Sequence, residues 1–345
     1  MKWKRGIFLS ILLLCMPLLM ILAMQDEGTL VLEKDETIEE ILPYLLVVNI
    51  EDEFDMENIK AMAVILRSNL VALMESKRVS LAQIRGNYVY LQKGLYIKRK
   101  ALYKAVFEAC TATEGEVLTA QGKVCYCPYF YASSGMTRDA FDFFGDERFS
   151  YLIAAPSYRD EECEMYLSYF YVSLEELTNV IWTYQERDLQ DKIVYSGNNT
   201  IEKRGFGEDV FCGIGIEEGD ILNVLEKAKE RETMSDAMVD IGEQESTFGV
   251  RKKVEVLESD AAGYVKWVKV ADQVIGGELF RYCLGLSSSC FSIEQQNDTI
   301  RIMCKGRGHG FGFSQYGANV MAKEGNSYRD LLKHYFPELH IEKDV

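Results

Sequence analysis

An α+β fold is what this sequence predicts: mixed strands and helices in a single large extracytoplasmic domain, with scope for two lobes around a cleft, behind an N-terminal transmembrane helix. Three observations carry that prediction. Apolar residues recur at helical spacing from Met56 to Ser76, apolar and polar residues alternate from about Val250 to Cys304, and the stretch from Gly6 to Met24 carries no charge.

The uncharged stretch is interrupted only by Ser10 and Pro17. At about 1.5 Å per residue it just crosses a hydrocarbon layer of about 30 Å. Lys2, Lys4 and Arg5 precede it and Gln25, Asp26 and Glu27 follow it. That charge order places a short N-terminus inside and the rest of the chain outside, as a single-pass cell membrane protein. Residues 1–28 are then the cytoplasmic stub and anchor, and 29–345 the outer domain. A cleaved signal peptide is the alternative, although Leu22-Ala23-Met24-Gln25 is a poor cleavage site.

Thr29 to Leu32 reads as a strand, and the apolar run from Ile41 to Ile50 reads as a second one. Ile59, Ala63, Leu66 and Leu70 then mark a helix that Asp55 caps. Ser173 to Glu176 forms a capping box for a helix ending near Tyr184, and Asp220 caps another from Ile221 to about Lys229. The strands after Val250 are separated by turn signals at Gly276-Gly277 and Asn297-Asp298. Two helices follow, one near Tyr316 to Lys323 and one opening at Ser327 and running to about Phe336, with Gly325 as the stop between them.

Apolar residues make up 48% of the 345 residues, so a large core can be buried. The net charge of −16 argues against nucleic acid as a partner. Cys15 falls in the span, and the other eight cysteines are compatible with disulfides or with buried thiols. Cys125, Cys127 and Cys163 give three thiolates, one ligand short of a tetrahedral site, and His309, His334 and His340 lie elsewhere in the sequence, so neither a metal nor any other cofactor is expected.

Chemistry concentrates in three segments. The first is Tyr44 to Ser68, YLLVVNIEDEFDMENIKAMAVILRS. The second is Tyr129 to Asp160, containing Ser133, Ser134 and Thr137. The third opens at Gly277-Glu-Leu-Phe-Arg281 and reaches Gly306-Arg-Gly-His-Gly-Phe-Gly-Phe-Ser-Gln-Tyr-Gly-Ala318. Glycines at alternate positions let the backbone approach another surface closely, and His309, Ser314, Gln315 and Tyr316 are hydrogen-bonding groups suited to a sugar. The competing reading is a strand-to-helix turn whose glycines only permit packing.

In this order the three segments resemble the stage II sporulation protein D family of peptidoglycan lytic transglycosylases. Glu57, Lys60, Ala61, Ala63, Val64 and Arg67 coincide with the family's helix. Met62 replaces its usual Gln, Ser68 its Thr, and Tyr131 stands where a His is usual. Some members hold a zinc near that His, which this chain lacks.

The resemblance implies cleavage of peptidoglycan glycan strands, already freed of stem peptides, to 1,6-anhydro-N-acetylmuramic acid ends during engulfment. A single carboxylic acid can serve, because the sugar's own 6-hydroxyl is the nucleophile. Glu51 and Glu57 compete for that role. Glu57 lies near a helix N-terminus, which favours its ionised form, whereas Glu51 lies in a loop where desolvation could keep it protonated. Lys60 and Arg67 share a helix face and are candidates for contacting acetamido and lactyl groups, with a surface salt bridge as the alternative for Lys60. Ser133, Ser134, Thr137 and Arg281 complete the candidate binding set. The implied partners are a membrane-bound amidase or endopeptidase and other membrane proteins of the engulfment complex. A non-catalytic wall-binding module or amidase enhancer, and a scaffold in which the glycine-rich turn is packing alone, are the alternatives.

Overall fold

The computed structural model describes residues 37–75, 81, 100–186, 254–271 and 273–343. The expected membrane span, the strand at Thr29 to Leu32 and the helix after Asp220 lie outside these. No helix among the described residues is long and apolar enough to cross a membrane.

Helices and strands surround two apolar cores, which makes the described fold α+β. The first core begins with α1 (Ile38–Asn49). A strand was expected there, and the structure corrects it. The Thr37 N–H donates to the Glu40 carboxylate at 3.2 Å, opening a helical turn. Burial of Ile41, Leu42, Leu45 and Leu46 then follows helical spacing. An apolar run of this length has no polar face to reveal its period, so its sequence does not separate helix from strand.

Helix α2 (Met56–Glu75) is the centre of this lobe and is buried on most sides. Asp55 caps it as expected, its Oδ1 accepting the Glu57 N–H at 2.9 Å. Around α2 pack α1, α3 (Lys100–Ala112), and β1 (Glu116–Ala120). β1 lies between β2 (Lys123–Val124) and the last strand, β11 (His340–Lys343), with Leu118 opposite Ile341. Helices α7 (Gln315–Lys323) and α8 (Tyr328–Tyr335) close the lobe, the latter opened by a capping box from Ser327 to Asp330. β3 (Tyr129–Phe130) pairs in parallel with β10 (Phe313–Ser314), and the short α4 (Ala140–Phe144) follows β3.

The second core is built by α5 (Leu174–Glu186), α6 (Gly277–Leu284) and two three-stranded sheets. One sheet has the order β4 (Leu167–Ser173), β9 (Thr299–Lys305), β8 (Phe291–Gln296), and the other is β5 (Val254–Ser259), β6 (Val265–Val270), β7 (Gln273–Gly276). Ser173 and Glu176 make the expected capping box, and Asn297 takes φ 55° in the β8–β9 hairpin. The Gly276-Gly277 pair is not a turn between strands: Gly276 caps α6, which buries Phe280 against the sheets.

Candidate functional site

The glycine-rich run is the seam between the two cores. Gly306, Gly308, Gly310 and Gly312 all take positive φ, between 75° and 114°, a path that residues with a Cβ rarely follow. On one side, Gly306 and Gly308 donate to the carbonyls of Tyr166 and Ser287 in the second lobe, each at 2.8 Å. On the other, Arg307 pairs with Ala132, and Phe313 donates to Pro128.

Two buried charges fix this seam. Arg138 is fully buried and pairs with Asp260 at 2.6 Å and Glu278 at 2.5 Å, both in the second lobe. Its guanidinium also donates to the His309 carbonyl and lies over the rings of Phe143, Tyr264 and Phe311. Burial pushes the Glu278 carboxyl up, but Arg138, Arg281 and the Ser289 hydroxyl outweigh it and hold the group below the usual range. Asp160, also fully buried, accepts from the Ser133 N–H at 2.7 Å and from the Ser314 hydroxyl at 2.9 Å. Burial is the largest influence on its carboxyl and raises it despite these hydrogen bonds.

Several expected sugar-binding groups are used inside this framework. The Nε2 of His309 faces the Tyr129 carbonyl at 3.1 Å and its Nδ1 accepts the Phe311 N–H at 3.1 Å, which defines a neutral ring. Burial lowers its pKa to about 4, with the charges of Arg281 and Arg138 acting in the same direction. The hydroxyls of Ser133 and Thr137 accept the N–H groups of Gly135 and Ala155. Ser134 donates to the Ala262 carbonyl across the seam, and Gln315 donates to the Asn49 carbonyl at 2.8 Å. Burial of His309, Ser133, Thr137, Ser314 and Gln315 therefore corrects their expected role: they shape the seam and do not face solvent. Arg281 stands on α6 beside Glu278 at 3.8 Å.

The two glutamates separate clearly. Glu57 bonds Lys60 at 2.6 Å and accepts the Tyr328 N–H at 2.8 Å, tying α2 to the start of α8. Burial raises its carboxyl, but these hydrogen bonds and the Lys60 charge outweigh it and leave the group below its ordinary value. Lys60 is thus in the salt bridge that was its alternative reading. Arg67 is 2% exposed and pairs with Glu39 at 2.6 Å and with the Glu116 and Cys110 carbonyls, so burial removes it from the surface.

Glu51 lies in solvent just after α1, so the desolvated surroundings expected of it are absent here. Its loop is nevertheless anchored at the seam. Asn49 takes the Gln315 bond on its carbonyl and the Tyr129 hydroxyl on its side chain at 2.7 Å. The Glu51 charge reaches the Tyr131 hydroxyl, which burial, then Cys163 and Glu51, push up to about 12. Tyr131 lies 6.3 Å from the Tyr316 ring, and the Arg307 guanidinium sits 5.6 Å over Tyr131. One carboxylate, two phenols and one guanidinium thus share a surface beside the glycine-rich turn. Among the described residues, no cluster of His, Cys, Asp or Glu is arranged to hold a metal, and the described cysteines are free thiols.

Residues 27–119 match the family model described as stage II sporulation protein. The stage II sporulation protein D of Bacillus subtilis (strain 168) is 42% identical over 80 residues, and that of Bacillus amyloliquefaciens 44% over 80. Over this stretch the chain is similar to the stage II sporulation protein D family. Each of those alignments covers 22% of this chain and 23% of the relative, so the chain spans about a quarter of the curated relatives it matches. The amidase enhancer of Bacillus subtilis (strain 168) is 38% identical over 64 residues, 19% of this chain and 8% of that protein. The family-model match takes in Glu51, Glu57, Lys60 and Arg67 and ends before the glycine-rich turn.

Sequence reasoning missed Arg138, although it lies within the second segment, and gave Asp160 no role beyond closing that segment. It noted Tyr131 only as a replaced His, and it passed over Arg307 inside the glycine run. A charged residue within a glycine-rich stretch was the available signal for Arg307.

Proposed function

We propose that this chain is a lytic transglycosylase that cuts peptide-free peptidoglycan strands to 1,6-anhydro-N-acetylmuramic acid ends during sporulation, with Glu51 as its acid and then its base. The observation that carries this reading is the solvent-facing Glu51 carboxylate, whose charge reaches Tyr131 next to Tyr316 and Arg307, while Glu57 is committed to Lys60 and Tyr328. A glycan laid over the exposed Glu51 would displace its water and favour the protonated form. Glu51 would give its proton to the bridging oxygen as the C1–O bond breaks. Its carboxylate would then take the proton from the 6-hydroxyl as that oxygen bonds to C1. Tyr131, protonated at neutral pH, is a donor to the sugar or to the Glu51 carboxylate. Membrane anchorage with the N-terminus inside, and action beside a membrane-bound amidase, complete the proposal.

A second reading is favoured by the solvent exposure of Glu51 and by the amidase-enhancer relative: a wall-binding module without catalysis. Incubation with purified peptide-free strands and mass detection of anhydro ends separates the two. Glu51→Gln is expected to reduce those ends by roughly 10²- to 10⁴-fold, and Glu57→Gln to act on stability first. Wild-type protein that yields no anhydro ends, or a Glu51→Gln variant as active as wild type, sinks the catalytic reading.

A further inference from the structure

The sheet β4-β9-β8 turns one face to the second core and the other to solvent. Across the antiparallel register, Leu167, Tyr169 and Tyr171 lie opposite Lys305, Met303 and Arg301, so all six side chains share the outer face. Val172, Ile300, Ile302 and Cys304 occupy the inner one. On the outer face Leu167 is 48% exposed, Tyr169 50% and Tyr171 63%, an unusual outlay of apolar surface on a lobe whose core is otherwise closed. Arg301 sits 5.2 Å over the Tyr169 ring.

This face is continuous with the candidate site. Met165, two residues before Leu167 and also exposed, meets the Arg307 guanidinium through its sulfur at 2.9 Å. Arg307 in turn covers Tyr131, next to Tyr316 and within reach of the Glu51 charge. Aromatic and aliphatic side chains interspersed with cations thus run from Glu51 to Tyr171. The strand portion alone, from Lys305 to Arg301, adds about 13 Å at ~3.3 Å per residue.

We infer that the outer face of β4 and β9 is a distal subsite that holds further sugars of the same glycan strand. Flat rings accept the apolar faces of pyranoses, as they accept other π-compatible partners. Lys305 and Arg307 put positive charge at the near end of this track, and Arg301, paired with Glu294 at 3.5 Å, holds a guanidinium at the far end, which suits a polymer carrying a lactyl carboxylate on alternate sugars once its peptides are gone. The inference rests on the glycan reading of the Glu51 surface and adds to it a dependence on strand length.

The test measures binding, with the full chain in detergent, to purified peptide-free strands of more than a dozen sugars and to a four-sugar fragment. For Tyr169→Ser/Tyr171→Ser, affinity for the long strands is expected to fall roughly tenfold or more, with less than a twofold change on the fragment. Arg301→Gln, which leaves both rings in place, should weaken long-strand binding several-fold and reduce its salt dependence. Equal losses on both lengths, or unchanged long-strand binding with a circular-dichroism melt like that of wild type, overturn the inference. Glu51→Gln, assayed alongside, should lower the yield of anhydro ends as above while keeping the length preference, so failure of the catalytic reading and failure of the distal subsite give different results.

Discussion

His309 illustrates how a residue typical of a site can serve the framework instead. Both ring nitrogens are engaged by the backbone of the seam, and burial holds the pKa at about 4 against an ordinary 6.5. A folded-state value below the unfolded one means that the unfolded chain binds the extra proton first. The stability contribution is therefore complete above pH 6.5 and is lost as the pH falls toward 4, a span of about 3 kcal/mol at 1.36 kcal/mol per unit. Urea titrations across that window should show wild-type stability falling with acid and the His309→Gln variant falling much less; parallel slopes would contradict this. At this scale the sequence exposed residue types but not their surroundings. Glu51 and Glu57 both lie near the start of one helix, where their spacing in the sequence places them. Only the fold reveals that Tyr328, 271 positions away, takes up one of them.

Secondary elements were legible wherever their signals are local. Asp55, Ser173 with Glu176, Ser327 and Asn297 each act within a few residues, and each caps or turns as its type dictates. The apolar run that became α1 and the glycines that open α6 were misread because burial on nearly every side erases periodicity, and because a Gly pair suits a cap as well as a turn. α7 adds a requirement that the sequence does not announce. A Cβ on Gly317 would meet the Ser157 hydroxyl, and would come within 2.6 Å of the Tyr335 hydroxyl and 2.7 Å of Asp160. Helix α7 can therefore lie against that polar cluster only with a glycine there. Gly317→Ala is expected to cost about 1–3 kcal/mol in a denaturant titration, although alanine is the better helix former. A stabilised variant would show that the helix can shift away freely.

On the scale of the molecule, Arg138 is the tie between lobes, reaching Asp260 and Glu278 from a loop that belongs to the first. Replacing it by Met leaves Asp260 buried without its partner, a loss of about 3–5 kcal/mol. Calorimetry should then resolve separate melting of the two cores where the wild type melts together; a single transition at the wild-type temperature would mean that the lobes are joined by other means. The partners of Arg138 stand 122 and 140 residues away, which is why no window of sequence pointed to it. The pairing of β1 with β11 has a different kind of consequence. Thr119 meets His340, and α2 is roofed by α7 and α8, so the first lobe draws on both ends of the described chain. As the polypeptide leaves the ribosome, the flank of α2 that faces α7 and α8 stays bare until some two hundred further residues have been made. The later-encoded β4–β9 half, by contrast, has all its strands in hand sooner after its first residue emerges, so during biogenesis the N-terminal portion is the one that needs a chaperone's protection.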